Sequence, residues 1–139
     1  MSIDDLDARV QQLLDTRIES FDQLELLLLL HDCRDQSWTV EAIAERFQRG
    51  TDVMETLKAL QLAGFIQGLL SNPKLEYRYA PASAQLDQAV TELARAYREQ
   101  PITVIRVMSA NSIRRMRVGA ARAFADAFVI HKKGDKDRG

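Results

Sequence analysis

At 139 residues, 46% apolar and 28% charged, the chain matches one soluble globular domain, long enough to bury a core without staples. A single cysteine, Cys33, excludes an intramolecular disulfide, and the longest purely apolar run, Leu26 to Leu30, is far too short to span a bilayer. The formal net charge of −1 conceals a gradient: residues 20–81 hold nine acids against six bases, whereas residues 114–139 hold eight bases against three acids. The first residues, Met1 to Val10, are acidic and lack the basic and apolar regions of a signal peptide, so the cytoplasm is the expected compartment.

In chain order, Ile3, Leu6, Val10, Leu13 and Leu14 recur at helical spacing and predict an amphipathic helix over 2–16, capped by Ser2. A second helix starts at Ser20, where Ser20 and Gln23 fit a capping box. Its Leu24 to Leu30 run is too apolar for a one-sided stripe and predicts a helix buried on most sides. Cys33, after that run, reads as a small packed hydrophobe. Trp38 begins a short extended bridge. Thr39 then caps a helix over 40–47, with Ile43, Ala44 and Phe47 inward.

Gln48, Arg49 and Gly50 form a turn, and Thr51 caps the next helix, whose inward set is Val53, Leu57 and Leu60. Gly64 is well placed to end it as a C-terminal cap. Residues 65–70 and 75–79 read as two strands joined by the turn Ser71-Asn72-Pro73-Lys74, with Tyr77 and Tyr79 on one face and Glu76 and Arg78 on the other. Leu86, Ala89, Val90, Leu93, Ala96 and Tyr97 trace a further helix. Residues 102–108 have strand propensity, but the leading Pro101 and the lack of a pairing strand favour a helix. A bend is expected between Ser109 and Gly119, a helical stretch with Phe124, Ala125, Phe128 and Val129 on one face after it, and a flexible tail over 132–139.

The order helix, bridge, helix, turn, helix, two-strand hairpin, carried by "TVEAIAERFQRGTDVMETLKALQLAGFI" and "QGLLSNPKLEYRYA", resembles the winged helix-turn-helix transcriptional regulators, most nearly the MarR-like group. The resemblance covers roughly residues 20–80. It implies a mainly α fold, with a winged domain over 20–81, a two-strand β wing, and a dimerisation region formed by helices at 1–19 and 82–131. It also implies a homodimer that binds double-stranded DNA. In that frame Thr51, Asp52, Met54, Glu55 and Lys58 face the bases, Lys74 and Arg78 are wing contacts to phosphate, and Arg46 and Arg49 touch the backbone. Leu6, Val10, Leu13, Leu93, Tyr97, Phe124 and Phe128 would form the dimer interface. MarR-like proteins commonly bind a small effector between these two parts, but no polar constellation in the sequence names one.

The departure from the family pattern is at Asp52 and Glu55, where such regulators usually place Ser, Thr, Gln or Arg. A carboxylate can accept from cytosine N4, yet it also repels phosphate. Thr51 reads equally as a helix cap. Arg114, Arg115, Arg117 and Arg122 fit a solvated helix face, a pairing with the acidic N-terminal region of a second subunit, or nucleic acid. Catalysis finds no support: His31 and His131 are 100 residues apart in no metal-ligand spacing, and there is neither a Gly-rich phosphate loop nor a nucleophile elbow. No cofactor or metal is expected. The alternative to a DNA reader is a winged-helix interaction module, an adaptor or a regulator of a transcription factor, whose acidic helix meets a basic protein surface.

Overall fold

The computed structural model describes residues 6–47, 52–71 and 74–138, with Ser71 and residues 126–138 in backbone only. The elements are α1 (Ala8–Thr16), α2 (Phe21–Asp32), β1 (Trp38–Thr39), α3 (Val40–Arg46), α4 (Val53–Leu62), β2 (Ile66–Ser71), β3 (Lys74–Tyr79), α5 (Ala84–Glu99) and α6 (Pro101–Arg138). This is the mainly α, winged architecture that the sequence implies.

Polar caps set most helix starts. Ser20 Oγ accepts from the Gln23 amide at 3.2 Å, and Gln23 Oε1 in turn accepts from the Glu19 amide at 2.7 Å, one residue earlier than a standard capping box. Thr39 caps α3 through the Ala42 amide, and Ser83 caps α5 through the Leu86 amide, both at 3.1 Å. Two starts differ from expectation. α1 begins at Ala8, capped by Asp7, whose carboxylate accepts from the Arg9 amide at 2.8 Å; Ser2 lies outside the described residues. Asp52 caps α4, the role assigned to Thr51, and Thr51 itself is outside the described residues with 48–50.

α2 is the central helix. Leu24, Leu26, Leu27 and Leu30 are all fully buried, and it packs against α4, α5 and β3 at once, which is why its apolar residues do not form a single stripe. Ile43 and Phe47 of the α3 segment point inward, but Ala44 is exposed. The sheet is antiparallel, in the order β1-β3-β2, with Trp38 opposite Tyr77 and Ile66 opposite Tyr79. Tyr77 and Tyr79 are buried on its inner face, as the alternation requires.

α1, α5 and α6 pack on one another on the other side of α2. α6 is one uninterrupted helix of 38 residues, roughly 57 Å at 1.5 Å per residue, with no break between Ser109 and Gly119 and with its end at Arg138 rather than near 131. Helical hydrogen bonding runs through Gly119, whose missing side chain meets open space. Val104, Met108, Asn111 and Arg115, spaced four, three and four apart, form its inner face. Asn111 Nδ2 donates to Leu14 O at 3.1 Å and to Asp15 Oδ1 at 2.9 Å. Arg115 donates to the carbonyls of Leu14, Asp15, Ile18 and Glu19 at 3.2–3.4 Å, so one guanidinium satisfies the acceptors that α1 leaves open where it ends.

Candidate nucleic-acid interface

α4 turns Thr56, Leu57 and Leu60 into the core and leaves Glu55, Lys58, Gln61 and Leu62 on its outward face, at the three- and four-residue steps of one helix side. Leu62 is 90% exposed. Asp52 is exposed, but its Oδ1 accepts from the Glu55 amide at 3.3 Å, so the carboxylate is turned onto its own helix, where the dipole favours negative charge. Met54, expected to face bases, is half-buried and packs on the core with Val53. Arg46 is exposed, with its guanidinium 6.0 Å from the centre of the Trp38 ring. Arg49 lies outside the described residues.

The C-terminal end of α4 is fixed by a glycine conformation and two hydrogen bonds. Gly64 adopts φ +87°, a conformation that side chains resist, and its carbonyl accepts from the Ala82 amide at 2.9 Å. Arg17, from the joint between α1 and α2, donates to Ala63 O at 2.6 Å, placing a cation at the negative end of the helix. Sequence reading missed Arg17 because nothing local ties it to a residue 46 positions away.

The hairpin β2–β3 stands beside α4. Lys74 and Arg78 are both exposed on its outer face with Glu76 between them, so the two expected phosphate contacts share one side. The inner face runs Ile66 with Tyr79, Gly68 with Tyr77 and Leu70 with Leu75. Gly68 lets the Tyr77 ring lie across it, since a Cβ there would come within 3.2 Å of that ring. Leu70 is 78% exposed, and Leu69 and Leu75 about 40%. These leucines also escaped sequence reading; the adjacent pair Leu69-Leu70, on opposite faces of a short strand, was the available signal. Over α4 and the wing, Lys58, Lys74 and Arg78 balance Asp52, Glu55 and Glu76, and Arg46 brings the sum to +1.

Behind this surface a cavity of about 610 Å³ opens between α2 and α5, bounded by Leu28, Leu29 and His31 on one side and Thr91, Tyr97 and Arg98 on the other. His31 is buried and stacks edge-on against Tyr79, centroids 5.1 Å apart. Arg34 Nη2 lies 3.1 Å from His31 Nε2 and has no acceptor to offer, so Nε2 accepts and the neutral ring carries its proton on Nδ1, 3.7 Å from the Asp32 carboxylate. Burial first, and then Arg34, hold the His31 pKa below its usual value, against the opposing pull of Asp32. The Tyr79 hydroxyl donates to Asp87 at 2.6 Å; burial, then that carboxylate, push its pKa up.

The residues expected at a dimer interface divide. Val10, Leu13 and Leu93 are buried within the chain's own core, so their apolar surface is already spent. Leu6 and Tyr97 are partly covered by the same core. Phe124 is 76% exposed, and the side chain of Phe128 lies outside the described residues. Phe124 belongs to a stripe of exposed Ile102, Ile105, Ile113 and Met116 along α6, at steps of three and eight residues that keep to one helix side. From Pro101 to Ala125 that helix carries five arginines and no acid. Among the described residues no group of three or more His, Cys, Asp or Glu could hold a metal, and no helix is long and apolar enough to cross a membrane.

No protein-family model matches the chain, and no curated protein matches it in sequence. Solved structures do. A mutant MepR from a multidrug-resistant clinical isolate of Staphylococcus aureus superposes with a TM-score of 0.51 over 86% of this chain and 87% of that one, at 16% identity. MepR itself, a transcription regulator of the S. aureus multidrug efflux pump MepA, gives a TM-score of 0.50 over 85% and 90%, at 17% identity. The superposition spans most of each chain, and the fold is that of the MarR-like winged-helix proteins.

Proposed function

We propose that this MarR-like fold serves a transcriptional regulator that binds double-stranded DNA as a homodimer and acts in the cytoplasm, without catalysis. The observation that carries the reading is the open outward face of α4 beside a hairpin with Lys74 and Arg78 on one side, in a frame similar to a known transcription regulator. The exposed α6 stripe ending in Phe124 supports self-association, because an apolar stripe of this length is seldom left uncovered on a monomer. Residues 1–19 and 82–131 are then the dimerisation region and 20–81 the reading domain. The cavity between α2 and α5 is of a size that suits a small effector.

A second reading, a protein-interaction module, is favoured by Leu62 and Glu55 on the outward face of α4. Fluorescence-anisotropy titration of sheared genomic DNA at several salt concentrations separates the two. With Arg46, Lys74 and Arg78 on each subunit, a dimer makes six phosphate contacts and should show a log–log salt slope of roughly −5 to −6. A folded dimer with no salt-sensitive affinity would leave the interaction module as the function.

A further inference from the structure

The outer end of the wing has the wrong chemistry for a hairpin that meets only water. Nearer the domain its inner face is covered: Ile66, Tyr77 and Tyr79 are each at most 5% exposed. The next pair on the same face, Leu70 with Leu75, runs past the core, and Leu69 shows on the other face. β2 is an edge strand of the sheet, where exposed leucines invite aggregation and polar residues normally stand. Two cations flank these leucines, Lys74 beside Leu75 and Arg78 further in, against the single acid Glu76. A wedge of leucine bordered by cations matches a polyanion that can expose apolar base faces when a step is unstacked.

α4 is the complementary half of the problem. With Asp52 turned onto its own helix, its outward face offers Glu55, Lys58, Gln61 and Leu62. None of these is an arginine able to fork onto guanine. Base reading from the described part of this face then falls to Lys58, Gln61 and Glu55, with Leu62 contributing no hydrogen bond.

Resting on the DNA-binding reading above, we infer that the wing inserts Leu70 into the minor groove at a flexible pyrimidine–purine step, with Lys74 and Arg78 on the flanking phosphates. Sites are then chosen mainly by how readily the duplex deforms and less by hydrogen bonds from α4 to base edges. Leu69 and Leu75 form the shoulders of the wedge.

The test uses two duplexes of equal length and base composition. One has central TA steps next to 2-aminopurine; the other arranges the same bases as an A-tract with no central pyrimidine–purine step. The wild-type protein should bind the first about tenfold more tightly and raise its 2-aminopurine fluorescence as the step unstacks. Leu70→Ser should abolish the preference and the fluorescence rise while leaving A-tract affinity within about twofold, since it removes no phosphate contact. Circular dichroism, together with the retained A-tract affinity, checks that the variant folds. Equal salt-sensitive binding to both duplexes without a fluorescence change, or a preference that survives in Leu70→Ser, overturns the wedge and leaves DNA binding standing. No salt-sensitive binding to either duplex overturns the DNA-binding reading and the wedge with it, and assigns the leucines to a protein partner.

Discussion

Replacing Asp52 separates two roles that a carboxylate at the start of α4 can have: helix cap, or base contact. As a cap, Asp52 satisfies the Glu55 amide, and Asp→Ala changes at such positions cost about 0.5–2 kcal/mol. The bond is 3.3 Å long and exposed, which puts the loss here at about 1 kcal/mol or less. For a chain of this size that is a fall of roughly 3–5 °C in Tm. Asp52→Asn keeps an acceptor and loses only the charge at the helix N-terminus, worth about 0.3–1 kcal/mol, so its melt should lie between alanine and wild type. Both variants remove one negative charge beside the duplex and should bind non-specific DNA more tightly. Urea and thermal melts, run with anisotropy titrations on the same preparations, give all four numbers. An alanine variant as stable as wild type, together with a collapse of affinity for DNA in both variants, would mean that the carboxylate faces the bases and that the cap is incidental.

Gly64→Ala should destabilise the fold by about 1 kcal/mol or more, because alanine resists φ +87°; Arg17→Ala should speed amide exchange at the end of α4, where its guanidinium now holds Ala63 O. Mass-spectrometric exchange over residues 60–66 reads both. With its folded pKa depressed, His31 binds its proton more weakly in the native than in the unfolded chain, so stability should be full above about pH 6.5 and fall as the pH drops below it. Chemical melts at pH 7.5 and 5.0 should differ more for wild type than for His31→Gln; Asp32, Arg34, Tyr79 and Asp87 stay in place in both. Phe124→Glu, alone or with Met116→Glu, should shift sedimentation toward monomer without loss of helicity, since both side chains are largely exposed in the single chain. Unchanged sedimentation would move the dimer surface off α6.

The local signals in this sequence read well where they act locally. Thr39, Ser20 and Gly64 cap and stop helices where their chemistry says they should, and the Tyr77 and Tyr79 alternation sets the wing's inner face. Periodicity fails where it cannot tell which neighbour covers a stripe. Val10, Leu13 and Leu93 have the spacing of an interface, and that spacing serves equally well for packing α1 on α5 within one chain. Ser109 to Gly119 suggested a bend because serine and glycine are weak helix formers, yet the helix continues through them, held early on by Asn111 and Arg115. The cap that Asp52 forms was not legible, because a cap and a base contact occupy neighbouring positions at a helix start.

The Arg115 clamp also orders events during synthesis. It joins α6 to carbonyls about a hundred positions upstream, and α1 also packs on α5 and α6. A nascent chain therefore carries Val10, Leu13 and Leu14 beyond residue 84 before α5, and beyond residue 101 before α6, can cover them. Bringing such distant segments together is entropically slow, and the uncovered first helix is the natural target for a chaperone until α6 is made. A message truncated before residue 104 would keep the α5 side of this packing and lose the α6 side, leaving the carbonyls of Leu14, Asp15, Ile18 and Glu19 without the Arg115 guanidinium. Of the two helices that cover α1, α6 is the later to be made, and it completes the cover that α5 begins.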